Sequence, residues 1–337
     1  MADPQATIVI PTLSAGGELR ACLDSLLAQD FDAFTVIIVD NSGRGLARLA
    51  APRDPRVTII ESPRNIGFGA AINLGARRTG APFIGTLNDD ATASPGWLAS
   101  LLDALSRHPR AGMAASRVLL EGRGAIDSAA MLLCADGSSK QRGRGAPPGA
   151  FPLEEDALFP SGSAALYRRE LFDTLGGFDE DFFLYCEDSD LGLRAQWAGF
   201  GCVYVPSALV HHRYSHSAGR ASPLKAYLVE RNRLRLAAKT FPANMLWRVP
   251  GAALVRYLGH LASIGSGAGA AHEFSRSSGG PLTLAWYVLK AHLALLPALP
   301  SLLAARRRIR ARARITPGQF RALARRFSIA PREVASQ

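Results

Sequence analysis

GGFDEDFFLYCEDSDLGLRAQWAGFGCVYVPSALVHHRYSHS, residues 176–217, is the stretch whose reading decides the fold. It sets six acids, Asp179, Glu180, Asp181, Glu187, Asp188 and Asp190, within 12 positions. Phe178, Phe182, Phe183, Leu184 and Tyr185 stand among them. Carboxylates held against aromatic rings lose water, which is costly unless a partner or a reaction needs the charge. The stretch therefore does not read as a solvated acidic tail. An apparent helix, Asp188 to Ala198, would bring Leu191, Arg194 and Ala195 near one face. Asp at a helix start is also an ordinary N-cap, so local sequence leaves both readings of Asp188 open. A short apolar strand, Gly201 to Val205, comes next, and then His211 and His212. We expect this stretch to hold a catalytic base and one ligand of a divalent metal.

Upstream, strands alternate with helices. Thr7 to Ile10 is a β-rich apolar run that should stop at Pro11. Glu18 to Gln29 carries Leu19, Cys22, Leu23, Leu26 and Leu27 at helical spacing. Phe34 to Val39, Val57 to Ile60 and Pro82 to Leu87 read as further buried strands. This alternation predicts an α/β fold, a mostly parallel sheet flanked by helices, with ligands at the carboxyl ends of the strands. Asp40 stands at one such end, where it either starts a turn or accepts hydrogen bonds from a nucleotide. Asn88, Asp89 and Asp90 stand at another, and adjacent carboxylates there suit a hard divalent cation. Gly67 and Gly69 run into an Ala-rich helix and let backbone approach a ligand closely. Their spacing to the next glycine is not the dinucleotide fingerprint.

Taken as an ordered series, these pieces resemble one family. Pro11-Thr12-Leu13, Val39-Asp40-Asn41-Ser42, Asn65-x-Gly67-Phe68-Gly69-x-x-x-Asn73-x-Gly75 and Leu87-Asn88-Asp89-Asp90-Ala91 are similar to the inverting family 2 glycosyltransferases of GT-A fold, in particular rhamnosyltransferase-like bacterial members. Gly176 to Arg194 resembles the family's acceptor-side signature. Tyr204-x-Pro206-x-Ala208-x-Val210-x-His212 and Lys225-x-Tyr227-Leu228-x-Glu230-Arg231-Asn232-Arg233-Leu234 follow in order. The resemblance covers roughly residues 5–240. One departure stands out: Asp89 occupies a position where relatives often carry Pro.

The resemblance implies a GT-A, Rossmann-like sheet and transfer of a sugar, such as rhamnose or a hexose, from a nucleoside diphosphate donor to a lipid-linked or polysaccharide acceptor. It implies Asp188 as the base, with Mg²⁺ or Mn²⁺ on Asp90 and His212. The family's spacing to Tyr214 and Ser217 implies His212 rather than His211, and His216 is assigned to the surface or a substrate loop. Pro11, Thr12, Leu13, Asp40, Asn41, Asn65, Gly67, Asn73, Asn88 and Asp89 are implied on the donor side, with Arg231 and Arg233 as diphosphate clamps. Gly162, Ser163, Phe178, Asp179 and Glu187 are implied on the acceptor side. Inverting transfer needs a base for the attacking hydroxyl and stabilisation of the leaving diphosphate, and no covalent enzyme intermediate.

Residues 117–160 show no long helical or alternating pattern. Lys140, Arg142 and Arg144 there either belong to a plain solvated loop, the favoured reading, or reach an anionic lipid or substrate. Charge divides the chain. Residues 1–222 carry 20 Lys+Arg and 25 Asp+Glu, whereas residues 223–337 carry 19 and 3. We therefore expect a catalytic domain over 1–222 and a basic, apolar helical region over 223–337. The helix expected from Pro223 to Lys239 opens that second part. Leu282 to Leu303 is long enough to tempt a transmembrane reading, but Lys290, His292, Pro297 and Pro300 argue against a simple span. Arg306, Arg307, Arg308, Arg310, Arg312 and Arg314 follow, which suggests helices lying on an anionic membrane surface, or a homo-oligomer interface.

No aromatic platform accompanies the arginines, so nucleic acid is not expected as a partner. Four scattered cysteines form no metal-type pair and fit reduced thiols. With no signal peptide evident, a peripheral place on the cytoplasmic membrane face is the expectation. A nucleotidyltransferase would need a basic, Gly-rich loop that Pro11 to Gly17 lacks. A non-catalytic nucleotide-sugar-binding scaffold remains as the alternative, and donor turnover separates it from an enzyme.

Overall fold

The computed structural model describes residues 3–213, 222–266, 274 and 280–336, so Tyr214, His216 and Ser217 lie outside the described residues. The chain forms two compact units. The first comprises residues 1–131, 141–195 and 200–214, and the second 132–140, 196–199 and 215–337.

The first unit is built on a ten-stranded sheet. Its strands are β1 (Ala6–Thr12), β2 (Phe34–Asp40), β3 (Val57–Glu61), β4 (Phe83–Leu87), β5 (Ala91–Ala93), β6 (Ala111–Leu120), β7 (Ala125–Ala129), β10 (Glu155–Ala157), β11 (Ala164–Arg168) and β12 (Gly201–His212). The spatial order is β10-β12-β6-β11-β4-β1-β2-β3, with β5 on β12 and β7 on β6. Pairing of β1 with β2 and β4, β2 with β3, and β12 with β6 is parallel, and the pairs through β11, β10, β5 and β7 are antiparallel. Most strands thus share one direction, as the alternation of elements leads one to expect.

Helices α1 (Gly17–Leu27), α2 (Phe68–Ala76), α3 (Trp97–Arg107), α4 (Arg169–Leu175) and α5 (Glu187–Trp197) belong to this framework. Pleating sends alternate residues to opposite faces. Ile8 and Ile10 join one buried cluster with Leu19, Leu23, Trp97 and Leu101 from α1 and α3. Val9 meets α2 on the other face, where Gly75 permits the approach; a Cβ there would stand 2.5 Å from Val9 Cγ1.

Two expectations change. β1 does not stop at Pro11 but runs to Thr12, with Pro11 opposite Val39. The ladder to β4 ends at Val9, so the missing N–H costs no bond on that side. The stretch carrying Lys140, Arg142 and Arg144 is not a plain solvated loop either. Residues 117–160 around it hold β6, β7, β10 and two short strands of the second unit. Arg142 lies over the rings of Phe151 and Tyr204, at 4.8 and 5.0 Å. Arg144 pairs with buried Asp127. Strands this short carry little periodicity, and long-range partners decide them.

The second unit holds a three-stranded sheet, β8 (Met131–Cys134) between β9 (Ser139–Gln141) and β13 (Ser328–Ile329). Its helices begin with α6 (Pro223–Thr240), α7 (Ala243–Leu246) and α8 (Val249–Ser266), followed by Gly280–Leu293, Leu295–Ala311, Pro317–Arg326 and Pro331–Ser336. Ser222 caps α6 by accepting from the Lys225 N–H, and Pro223 sits at its first position. Among the described residues no single helix is long and apolar enough to cross a membrane. The pair Gly280–Leu293 and Leu295–Ala311 passes by composition together but is bent by 46°.

Candidate functional site

The acidic stretch folds as a loop pinned to the start of α2. Gly67 precedes that helix with φ +88°, and a Cβ there would lie 2.3 Å from the Phe183 carbonyl oxygen. Phe68 N–H donates to the same carbonyl at 2.8 Å. Asn73 ties the next part. Its amide donates to the Phe178 carbonyl (2.8 Å) and to Glu180 (3.0 Å), and it accepts from the Phe178 N–H at 2.9 Å. Phe178 is buried among Phe68, Tyr167 and Phe172, with ring centres 5.7–6.0 Å away. Asp179 caps a short 3₁₀ turn by accepting from Asp181 N–H at 3.0 Å. Phe183, Tyr185 and Cys186 all adopt positive φ, a backbone cost of about 1–3 kcal/mol each. Such strain is concentrated immediately before Glu187 and Asp188, a feature that sequence does not signal.

Asp188 lies in the first turn of α5. Its Oδ2 accepts from Gly162 N–H at 3.1 Å, and its Oδ1 accepts from Ser189 N–H (2.6 Å) and Oγ (3.1 Å). Burial raises its pKa, against these hydrogen bonds. Glu187 beside it is buried, and its Oε2 has no hydrogen-bond partner. Desolvation first and the Asp188 charge second push its pKa up to about 8. Asp190 has another task. Its Oδ2 holds Arg194 Nε at 2.7 Å, and Arg194 donates to the carbonyls of Leu175 and Gly177. The expected face of Leu191, Arg194 and Ala195 is buried, together with the rest of the helix to Trp197.

A second cluster forms at the carboxyl ends of β1, β4 and β12. The apolar strand expected at 201–205 extends to His212 and includes both histidines. Alternation exposes His211 and buries His212. His212 pairs with Ala91 in the β12–β5 register, which brings the preceding Asp90 to it. Nε2 of His212 stands 3.0 Å from Asp90 Oδ1 and 3.3 Å from Asn88 Nδ2. Nδ1 stands 3.0 Å from Oδ2 of Asp127. Burial alone would lower the imidazole pKa, but the hydrogen bonds to Asp127 and Asp90 overcome it and push it up to about 9. Asp89 accepts from the Thr12 hydroxyl at 2.5 Å, and burial pushes its pKa up to about 6. Asn88 N–H donates to the Ser163 carbonyl at 2.9 Å, and Ser163 and Ser161 share a 3.0 Å hydroxyl contact.

An oxygen and a nitrogen donor thus converge at Asp90 and His212, a set that suits Mg²⁺ or Mn²⁺ completed by phosphate or water oxygens. Among the described residues no group of three or more His, Cys, Asp or Glu is arranged to hold an ion alone.

Asp40 uses both carboxylate oxygens internally, accepting from Ser42 and Ala47 N–H at 2.8 Å each. Burial opposes ionisation, but these bonds hold its pKa below the ordinary range. Asn41 donates to the Gly67 carbonyl at 3.2 Å, and its buried Oδ1 has no partner. Asn65 accepts from Gly67 N–H at 2.9 Å. Next to these strand ends lies a shallow pocket lined by Gly43, Arg44, Gly45, Arg48, Glu61, Ser62 and Pro63. Leu13 is exposed just beyond Pro11 and Thr12.

Arg233, in the second unit, is fully buried, and its guanidinium is occupied by Glu230, the Asp136 carbonyl and the Tyr257 hydroxyl. Arg256 completes this network with Asp136 (2.6 Å) and Glu230 (2.7 Å). The diphosphate reading of Arg233 therefore gives way to a structural one, because a fully buried guanidinium held by Glu230, Asp136 and Tyr257 is not open to a phosphate. Arg231 is half-buried over the Tyr227 ring and donates to Asn232. Within the arginine run, Arg306 and Arg310 donate to carbonyls at the end of α6, including Phe241 and Thr240, and Arg310 stacks on Trp197. Arg307, Arg308, Arg312 and Arg314 are exposed.

A family model described as Glycosyl transferase family 2 matches residues 7–176, and one described as Glycosyl transferase family group 2 matches residues 151–305. An N-acetylglucosaminyl-diphospho-decaprenol L-rhamnosyltransferase of Mycobacterium tuberculosis is 36% identical over 250 residues, 65% of this chain and 80% of that protein. The O-antigen biosynthesis protein RfbC of Myxococcus xanthus is 27% identical over 237 residues, 66% of this chain but 18% of that protein. Among solved structures, the mannosyltransferase PcManGT from Pyrobaculum calidifontis, in complex with GDP-Man and Mn²⁺, superposes with a TM-score of 0.54 at 18% identity, covering 93% of this chain and 86% of that one. S. aureus TarS 1–349 in complex with UDP gives 0.54 at 16% identity, covering 95% and 90%. At these identities the structural likeness establishes the fold.

Proposed function

This chain belongs to glycosyltransferase family 2 with a GT-A fold, and we propose that it is a metal-dependent inverting enzyme that moves a sugar from a nucleoside diphosphate to a lipid-linked glycan acceptor. The observation that carries the proposal is the convergence of Asp90 and His212 at the carboxyl end of the sheet, in the same unit as Asp188. Rhamnose is the favoured sugar, on the likeness to the mycobacterial rhamnosyltransferase.

In this reading Asp188 takes the proton of the acceptor hydroxyl as that oxygen attacks the anomeric carbon. Ser189 and Gly162 fix its two oxygens, and burial raises its basicity toward the range useful near neutral pH. Glu187 stays protonated at pH 7, so the pair presents one carboxylate rather than two repelling ones. Asp90 and His212 would hold Mg²⁺ or Mn²⁺, which when bound supplies Lewis-acid stabilisation of the leaving diphosphate. Thr12 holds Asp89 beside that pair, and Asp40, Asn41 and Asn65 shape the strand-end loops that face the nucleotide. Gly162 and Ser163 form the acceptor side, and Phe178, buried beneath it and held by the Asn73 staple, supports the loop from behind.

The 223–337 region is assigned to membrane contact. Leu282, Trp286, Leu289, Leu293, Leu296 and Leu303 are exposed on the bent helix pair, and Arg307, Arg308 and Arg312 follow them. This surface would keep the enzyme on the anionic face where a lipid-linked acceptor resides.

The test is donor turnover with dTDP-rhamnose and a panel of other nucleotide sugars. Asp188→Asn should lower transfer about 10²–10⁴-fold with the fold retained. Chelation should abolish activity, and Mn²⁺ or Mg²⁺ should restore it. Full activity after chelation would remove the metal from the mechanism, and near-parental transfer by D188N would remove the base.

A further inference from the structure

The sequence offers no reason to single out Asp127, yet three observations converge on it. First, it is buried, 2% exposed, at the middle of β7. A carboxylate in that position needs compensation. Second, it is the extra residue of a β-bulge. Val118 pairs with Ser128 and the next residue, Leu119, pairs with Ile126, so Asp127 has no cross-strand partner. Bulges re-aim side chains and are enriched beside active sites. Third, the re-aimed carboxylate is divided between two groups. Oδ2 meets His212 Nδ1 at 3.0 Å, and Oδ1 meets Arg144 Nη1 at 2.5 Å. The loop carrying Arg144 is itself stitched to β7, because Ile126 N–H donates to Ala146 and Gly145 N–H donates to Ile126, each at 2.8 Å.

We propose that Asp127 is a positioning residue that acts through His212, fixing the imidazole by its Nδ1–H so that Nε2 is presented as a cation ligand beside Asp90. The inference rests on the metal reading of Asp90 and His212. An imidazole has two ring nitrogens, and a carboxylate accepting from one leaves the other as the lone-pair donor. Arg144 balances the buried charge and locks the carboxylate plane, so the ring direction is set by β7, by the 142–146 loop and by β12 together.

The test measures Mn²⁺ affinity on the full chain, using the metal alone and reading free Mn²⁺ by electron paramagnetic resonance. Asp127→Asn should weaken binding about 10–100-fold. An Asn amide donating to Nδ1 favours the tautomer in which Nε2 carries the proton. In a His212→Ala background the same substitution should cost nothing further, because Asp127 acts only through that ring. An equal loss in both backgrounds would mean a general structural role and overturn the proposal. Should Asp127→Asn not fold, Arg144→Gln decides instead. It leaves the Asp–His contact in place but unlocks the carboxylate, so weaker Mn²⁺ binding supports the arrangement and unchanged binding overturns it. His212→Ala separates the two levels. If that variant, or the parent chain, shows no His212-dependent Mn²⁺ binding, the metal reading fails and takes the proposal with it. If His212→Ala weakens binding and Asp127→Asn does not, only the role of Asp127 fails.

Discussion

Glu187→Gln should change how stability depends on pH, and the size of the change follows from burial. The folded chain holds the Glu187 proton up to about pH 8, whereas the ordinary value is 4.5. Between those limits the unfolded chain has lost a proton that the folded chain keeps. Stability therefore falls as pH rises, by about 1.4 kcal/mol per pH unit for one group. Below pH 4.5 both states are protonated and the slope vanishes; above about 8 both are ionised and the full penalty stands. Gln keeps the shape of the neutral acid and cannot ionise, so it removes this slope. From pH 5.5 to 7.5 the variant should gain about 2.7 kcal/mol on the parent chain. An unfolding entropy of about 2.1 cal/mol/K per residue, over 337 residues, converts that to about 4 °C in Tm. The assay is thermal unfolding of both proteins across that range in matched ionic strength. Parallel Tm curves would refute the argument, because a Glu187 that ionises normally in the fold produces no difference in slope.

Other outcomes follow from the same geometry. Gly67→Ala forces positive φ on an L-residue and drives a Cβ against the Phe183 carbonyl. It should cost about 1–3 kcal/mol from the backbone alone and lower transfer by displacing the 183–188 loop. Asn73→Ala leaves the buried Phe178 N–H and C=O without their side-chain partner, so the urea midpoint should fall by the equivalent of about 2–4 kcal/mol. Leu289→Ser combined with Leu293→Ser should reduce co-sedimentation with phosphatidylglycerol vesicles without lowering Tm, since both side chains are exposed; unchanged co-sedimentation removes this stripe from the membrane reading.

The parallel framework was legible in the sequence because buried strands and amphipathic helices announce themselves by local periodicity. Thr7 to Ile10, Phe34 to Val39 and the helix after Glu18 needed no distant partner to be recognised. The resemblance of contiguous motifs to family 2 glycosyltransferases, rather than periodicity, pointed to Asp188, Asp90 and His212. Arg233 could be read only in part, because Glu230 lies one turn away on the same helix, whereas Asp136 and Tyr257, which complete its burial, come from distant segments. The 117–160 segment was opaque because its strands are mostly three to five residues long and depend on pairing with β11, β12, β13 and each other.

Residues 176–217 show the division most clearly. Their sequence determined that acids would be held against aromatics and that a helix would begin near Asp188. Tertiary structure alone decided what each acid does. Asp190 went to Arg194, Glu187 was buried with its Oε2 unpartnered, and Asp188 was held by Gly162 and Ser189. The pleat of β12 buries His212 and exposes His211, in line with the choice the family resemblance implied, and tertiary structure alone brought in Asp127 from a bulge 85 residues earlier. The physical reason is that periodicity is a property of one segment. Desolvation, hydrogen-bond saturation and the direction of a re-aimed side chain belong to several segments at once.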